Sequence, residues 1–209
     1  EVIRILASGK NVVTPLGWFF PFRMSDVTKV EEACRQGGVT LHGTGIHPGG
    51  ITERFPLMVS GLSREIRHVR AEEFSDIRTY DAEFVVKELM LFGKPPEEAR
   101  RSPTLRALGH GFQQSIDMVA QALGMELDPE KRSTQEMAVA TAPIETPVGV
   151  IEPGMVAAQR FTWQGTVRGE PVITVRVNWL MGEENLEPAW KLDGERFEVE
   201  VTGDPSVRL

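Results

Sequence analysis

The sequence predicts an α+β fold, in which a mixed, largely antiparallel sheet is covered by helices on one face and follows the last βα units of a parallel sheet. Three observations predict this fold. Residues 1–45 alternate helical stretches with short apolar strands, as parallel α/β units do. Residues 82–92 and 111–123 carry apolar side chains at helical spacing. Residues 155–201 show the two-residue alternation that is typical of strands.

The composition is that of an ordinary globular protein of 209 residues, 41% of them hydrophobic and 25% charged. Lysine and arginine number 23 against 30 acidic residues, and the net charge of −7 argues against a nucleic-acid-binding surface. Cys34 is the single cysteine, so the chain forms no internal disulfide and no cysteine-rich zinc site. No apolar run reaches the roughly 20 residues of a membrane span. We therefore expect a cytoplasmic protein that binds a small molecule, with no nucleic-acid or membrane partner.

The first 45 residues predict the end of a larger parallel domain. Residues 2–7 have helical periodicity without a capping residue before them, Gly9 ends this helix, and residues 12–14 form a buried strand. Helix, glycine and strand in this order are the last step of a βαβ crossover. The alternative is a short helix without a partner sheet. A second unit follows, in which Ser25 caps a helix over 26–36 with Val27, Val30 and Cys34 on its apolar side, before a strand at 39–41. Cys34 is therefore expected to be an inert core thiol.

Residues 46–209 predict the sheet and its helices. A helix around residues 55–62 leads into a strand that starts near Arg64. Helices are expected at 82–92 and 111–123, joined by a turn-rich connector at 93–103. The strands of the last third are expected at 155–167, 171–180 and 197–201. A single hairpin is not stable alone, which favours a sheet of several strands.

The loop from Gly43 to Gly50 is the densest run of glycine, and it follows a strand and precedes a helix. Open α/β sheets bind ligands at this edge, and glycine allows a backbone to approach a ligand closely. His47 within the loop is suited to hydrogen bonding or proton transfer near neutral pH. The other interpretation is a turn that only redirects the chain. The four histidines have no metal-ligand spacing, so no metal site is predicted.

Two further groups of side chains have candidate roles. Trp18 and Phe19 follow the first strand and offer flat faces to a planar ring, unless they pack at a domain interface. Tyr80 lies in an acidic stretch that is suited to orienting a cationic or imine substrate, or is simply solvated. The carboxylates of this stretch are Glu72, Glu73, Asp76 and Asp81.

Several segments, in order along the chain, resemble the dihydrodipicolinate-reductase-like family, which includes the 2,4-diaminopentanoate dehydrogenases and the native amine dehydrogenases. They are residues 7–14 (ASGKNVVT), 44–49 (TGIHPG), 92–95 (FGKP), 151–161 (IEPGMVAAQRF) and 203–209 (GDPSVRL). The resemblance implies an oxidoreductase that uses NAD or NADP, although no phosphate-binding motif occurs in this chain. It also implies that residues 1–45 are the remnant of a Rossmann-type dinucleotide-binding domain. Residues 46–209 would then form a substrate-binding and dimerisation domain, with a homodimer formed through its sheet.

On this resemblance, hydride passes between the nicotinamide and a small imine, amine or carbonyl substrate in an interdomain cleft, and the chain alone is not expected to be active. The resemblance and the loop together make His47 the catalytic candidate. Cofactor contacts are expected from Thr14, Pro15, Gly45 and Gly49, and the substrate cleft from Trp18, Phe19, Ile46 and Tyr80. Two family features are missing. Residues 15–18 (PLGW) lack the glutamate of amine dehydrogenases, and the histidine pair of the lysine-pathway reductases is absent. The alternative is a non-catalytic ligand-binding or dimerisation module.

Overall fold

The computed structural model describes all residues from Glu1 to Leu209. Its N-terminal unit pairs two short strands in parallel, with Val12 opposite Leu41. Leu6, Val30 and Ala33 are buried between its two helices and the strands. The elements of this unit are α1 (Val2–Ala7), β1 (Val12–Thr14), α2 (Val27–Gly37) and β2 (Leu41–Gly43). The parallel unit is therefore present, and its membership of a Rossmann-type sheet stays a prediction.

Two details of this unit differ from the sequence-based expectations. The second strand begins at Leu41 instead of Val39, because its register is set by pairing with β1. The predicted cap at Ser25 is wrong, since Asp26 occupies the capping position of α2 and makes no side-chain cap hydrogen bond. Cys34 is only half-buried, at the margin of the small core of this unit.

The rest of the chain is organised around a seven-stranded mixed sheet. Its strands are β3 (Arg64–Asp76), β4 (Arg132–Ala140), β7 (Val156–Val167), β8 (Glu170–Leu180), β9 (Leu186–Glu187), β10 (Arg196–Asp204) and β11 (Val207–Arg208). Their order is β11-β10-β3-β8-β7-β4-β9, and only the β3–β8 pair is parallel. A separate hairpin joins β5 (Ile144–Thr146) to β6 (Gly149–Ile151). The prediction of a mixed, largely antiparallel sheet is confirmed.

The helices of this region are α3 (Arg54–Ser60), α4 (Pro96–Arg101) and α5 (Thr104–Ala122). The segment predicted as a helix at 82–92 contains a π-helical turn, Val85–Leu89. Two expectations need correction. The helix predicted from Gly111 already begins at Thr104, and the connector predicted as turns contains α4. Pro96 is compatible with α4 because it occupies the first helical turn, where a missing N–H costs no hydrogen bond.

The main core lies between α5 and the inner face of the sheet. Phe112, Ile116 and Val119 of α5 pack against Phe161 and Trp163 of β7. The indole of Trp163 stacks on Phe112 with ring centroids 4.4 Å apart. The opposite, outer face of the sheet carries polar side chains, with Arg70, Glu72, Arg176 and Glu198 joined by ion pairs. The helices α3 and α5 therefore cover one face, as predicted.

None of the helices combines the length and the apolar character that crossing a membrane requires.

Candidate functional site

A cleft of about 360 Å³ opens at the carboxyl ends of β1 and β2. The backbone N–H of Phe20 donates to Oε1 of Gln114 at 3.1 Å. This hydrogen bond joins the aromatic loop after β1, residues 18–22, to α5. The ring of Phe19 packs against Pro48 and α5 near Gly111. The residues that line the cleft are Trp18, Phe19, Phe20, Pro21, Phe22, Leu41, His42, Gly43, Gly49, Glu53, Arg54 and Met118. The N-terminal unit thus provides one wall and the α3–α5 region provides the other.

The glycine-rich loop folds tightly on itself beside this cleft. Gly45 and Gly49 have φ values of +145° and +120°, which other residues rarely adopt. A Cβ on Gly49 would lie 2.5 Å from the backbone nitrogen of Gly45, and a Cβ on Gly45 would lie 2.3 Å from the carbonyl oxygen of Pro48. These two glycines are therefore required by the internal packing of the loop itself.

Glu53 is a buried carboxylate in the lining of the cleft, only 2% exposed. Its Oε2 accepts a hydrogen bond from the backbone N–H of Gly49 at 3.0 Å, and its Oε1 accepts one from the hydroxyl of Ser115. No lysine or arginine forms an ion pair with Glu53. A buried carboxylate without a cation is unfavourable, and a positively charged ligand group in the cleft would compensate it.

His47 lies beneath the loop with its side chain only 1% exposed. Its Nδ1 is 2.8 Å from Oε2 of Glu73, at an angle too oblique for a good hydrogen bond. Its ring lies between those of Phe112 and Phe197, with centroid separations of 5.1 and 5.8 Å. Nε2 is buried and has no hydrogen-bond partner. The imidazole therefore belongs to the core beneath the cleft.

Glu73 is the group that holds this imidazole. It also accepts hydrogen bonds from Nε1 of Trp179 at 3.0 Å and from the hydroxyl of Ser75 at 2.8 Å. Burial opposes its ionisation, but the contact with His47 and these two hydrogen bonds together keep the pKa of Glu73 below its usual value. The result is a largely buried, ionised carboxylate beside His47.

Arg54 and His42 form the polar rim of the cleft. Nη2 of Arg54 lies 3.4 Å from Nε2 of His42. Arg54 directly follows Glu53, but its guanidinium points to His42 and forms no ion pair with that carboxylate. The entrance to the cleft therefore carries a cation, and its interior carries an anion.

The structure brings together only some of the residues predicted for the site. Trp18, Phe19 and Gly49 line the cleft. The predicted residues outside its lining are Thr14, Pro15, Gly45, Ile46, His47 and Tyr80. Thr14 supports the loop, since its carbonyl oxygen accepts the N–H of Thr44 at 2.9 Å. Ile46 and Tyr80 are 59% and 48% exposed.

The sequence-based reasoning missed the most distinctive groups of the cleft, Glu53 and its partner Ser115. Glu53 follows Gly49 by four residues, the spacing at which a carboxylate reaches back to the N–H of a preceding turn. Ser115 stands beside Ile116 on the buried side of α5, where a polar residue indicates a buried partner. These two signals were available, but only the fold brings the two residues together.

Comparison with known proteins assigns the chain to a family. Residues 51–209 match the family model described as the 2,4-diaminopentanoate dehydrogenase C-terminal domain. The chain belongs to this family. The match begins inside the cleft region and covers the whole seven-stranded sheet, so the resemblance derived from the sequence motifs is confirmed.

Curated relatives of this family member carry dehydrogenase names. An amine dehydrogenase of Streptomyces virginiae is 32% identical over 181 residues, which is 84% of this chain and 50% of that protein. A 2,4-diaminopentanoate dehydrogenase of Acetoanaerobium sticklandii is 25% identical over 171 residues, which is 80% of this chain and 46% of that protein. The chain thus spans about half the length of these relatives.

A solved structure shares the fold. The amine dehydrogenase from Mycobacterium smegmatis superposes with a TM-score of 0.74 at 17% identity, over 99% of this chain and 60% of that one. The mixed α/β architecture with its large sheet is therefore the architecture of that enzyme.

Proposed function

We propose that this chain forms the substrate-binding part of an oxidoreductase that acts on the carbon–nitrogen bond of a small amine or imine with NAD or NADP as cofactor. One observation carries the proposal: Glu53 is a buried carboxylate without a cationic partner in the lining of a cleft. The names of the curated relatives support the same substrate class.

Glu53 is suited to hold a substrate ammonium or iminium group. Gly49 and Ser115 fix the orientation of its carboxylate and occupy only part of its acceptor capacity. In a cleft that excludes water, a positive nitrogen beside this carboxylate is stabilised more strongly than in solution. In this position Glu53 takes the place of the carboxylate that residues 15–18 lack.

The residues present fit the planar ring of a nicotinamide. Trp18, Phe19 and Met118 give the cleft flat and apolar walls. When bound, this cofactor supplies the hydride acceptor or donor, and the protein residues position the substrate beside it. The predicted contacts from Thr14, Pro15, Gly45 and Gly49 remain part of the proposal, although only Gly49 lies in the cleft lining.

His47 supports the site from below in this proposal. Its burial and its contact with Glu73 favour a role in positioning the loop that carries Gly49, and Glu53 is the better candidate for substrate contact. The earlier prediction that His47 relays a proton stays a prediction. If His47→Ala lowers kcat/KM and also shifts its pH profile, a proton relay is favoured; a loss without that shift favours positioning.

The test of the function uses the full-length protein and a panel of small primary amines that includes 2,4-diaminopentanoate. NAD(P)H absorbance should rise with at least one of them. Glu53→Gln should lower kcat/KM about 100-fold, because the buried cation loses its charged partner. Glu32→Gln, on the exposed side of α2, is the matched control and should leave kcat/KM unchanged. An unchanged kcat/KM in Glu53→Gln would contradict the role of Glu53, and the absence of amine oxidation across the panel would contradict the function.

The second candidate is a ligand-binding or dimerisation module without catalysis, which the missing carboxylate at residues 15–18 favours. Titration of NADH and NADPH into the full-length protein, followed by nicotinamide fluorescence, separates the two. Saturable binding supports the dehydrogenase, whereas no binding up to about millimolar cofactor favours the non-catalytic module.

A further inference from the structure

A second cavity of about 420 Å³ lies between the corner that joins α4 to α5 and the inner side of β4. Arg101 contributes from the end of α4, and Arg106 and His110 contribute from the first turns of α5. Ser133 and Gln135 of β4 complete its polar lining. This cavity is separate from the cleft described above, and the two lie on adjacent sides of α5.

The cavity concentrates positive charge in a chain whose net charge is −7. Several arginines of the outer sheet face form ion pairs with glutamates, as Arg70 does with Glu198 and Glu200. Arg100 at the cavity rim is paired with Glu97 at 2.6 Å. By contrast, no carboxylate forms an ion pair with Arg101 or Arg106. Two guanidinium groups therefore border one cavity, both exposed to solvent and without an ion-pair partner.

Backbone N–H groups add to the positive charge at this cavity. The 19-residue helix α5 begins at Thr104 without a side-chain cap, and its N-terminal end carries partial positive charge. The N–H groups of Leu105 and Arg106 have no acceptor within the chain. A helix end alone would attract only water, but here it meets two uncompensated arginines.

A buried donor lies beside two residues that line the same cavity. Nε1 of Trp163 has no hydrogen-bond partner, and its side chain is fully buried. This nitrogen is 3.0 Å from the position that a Cβ would occupy on Gly109, one turn after Arg106. The amide of Gln113 lies 3.6 Å from the same point, and Ser133 is the cross-strand neighbour of Trp163. Trp163 itself does not line the cavity, but its unpaired donor lies next to Gln113 and Ser133, which do, so a ligand that moves these side chains would change its surroundings.

We propose that this cavity binds the oxyanion group, carboxylate or phosphate, of a small organic molecule. Arginine binds both groups through two parallel N–H···O bonds, and the free N–H groups of α5 provide further donors for the same oxygens. His110 adds a third side chain that donates when protonated. The proposal does not depend on the hydride chemistry, since it concerns binding alone.

Isothermal titration of the full-length protein with inorganic phosphate, and separately with glutarate, tests this site. At least one probe should bind saturably, and the tighter of the two identifies the preferred anion. Arg101→Gln combined with Arg106→Gln should weaken that binding at least about tenfold. Arg4→Gln combined with Arg168→Gln removes the same charge from exposed positions elsewhere and should change binding less than about twofold.

Two outcomes would overturn the proposal. One is the absence of saturable binding of either probe up to about 50 mM. The other is an equal loss of affinity in the two double variants, which would indicate binding to the general charge of the protein. The indole N–H resonance of Trp163 provides a second measurement on the unmutated protein. It should move during the titration with phosphate or glutarate, and it should stay in place when sodium chloride is added at the same ionic strength.

Discussion

Glu53 and Ser115 are in direct hydrogen-bond contact although 62 residues separate them in the sequence. The contact joins the glycine-rich loop to the middle of α5, and both side chains are almost fully buried. It therefore fixes one wall of the cleft to the main core. The helix α5, which packs against the inner face of the sheet, therefore holds the carboxylate that we propose as the substrate contact.

The first prediction concerns this contact. Ser115→Ala should lower the free energy of unfolding by about 2 kcal/mol, because a buried carboxylate loses one of its two donors. Ser8→Ala removes a hydroxyl whose hydrogen bond to Ile5 is exposed to water, and it should have little effect. Urea denaturation of both variants measures the difference. Equal stability of Ser115→Ala and the unmutated protein would show that the contact does not stabilise the fold.

The second prediction concerns His47 and Glu73. A double-mutant cycle with His47→Asn and Glu73→Gln should give a coupling free energy of about 1–2 kcal/mol, since the imidazole lies 2.8 Å from the carboxylate of Glu73 and both side chains are largely shielded from water. The exposed pair of Lys29 and Asp26, treated the same way, should give no measurable coupling. Additive effects of the two buried substitutions would mean that the 2.8 Å contact contributes nothing to stability.

The sequence predicts the type and order of most elements, and the exceptions have physical causes. The sequence does not predict the strand β4. Its inner side carries Ser133 and Gln135, which line the second cavity, so the apolar alternation of a core strand is missing. The start of α5 is obscured by two glycines. Gly109 gives room to the indole of Trp163, and Gly111 gives room to Phe19 and Pro48. Both glycines weaken the helical signal for reasons that only tertiary contacts reveal.

The candidate site is harder to predict than the fold. The sequence identifies the loop from Gly43 to Gly50 and the aromatic residues after β1, because both follow strands at an edge where ligands bind. It does not indicate which side chain of the loop region faces the cleft. His47 turns into the core towards Glu73, whereas Glu53 reaches the cleft lining. Tertiary contacts set the directions of these two side chains, and no local sequence pattern encodes them.

The third prediction concerns acid stability. Glu198 is buried on the outer sheet face, which opposes its ionisation, but hydrogen bonds from Arg196, Arg70 and Arg208 lower its pKa to about 2. Because this value lies below the ordinary 4.5, the stabilisation is complete above pH 4.5 and is lost as the pH falls through about 2. Because water screens the exposed guanidinium of Arg208, we expect the ionised Glu198 to contribute roughly 1–2 kcal/mol to the free energy of unfolding.

Urea denaturation between pH 2 and pH 7 measures this effect. Glu198→Gln should be less stable than the unmutated protein at pH 7, and the difference should shrink as the pH falls below about 4.5. Glu32→Gln should show no such pH-dependent difference. A stability difference for Glu198→Gln that stays constant over the whole range would contradict the assignment.

The last prediction concerns the partner of the outer sheet face. This face carries both arginines and glutamates, so two copies related by a twofold axis can place opposite charges against each other. The expected homodimer is therefore predicted to form through this face.

Thr134→Arg tests this prediction. It places a long cation on an exposed position of β4 that makes no ion pair in the chain, so it should block the dimer and leave the fold intact. Thr28→Arg makes the same change on the exposed side of α2 and should leave the dimer unchanged. Light scattering should give twice the chain mass for the unmutated protein and for Thr28→Arg, and the single mass for Thr134→Arg. A dimer that persists in Thr134→Arg would place the contact on another surface.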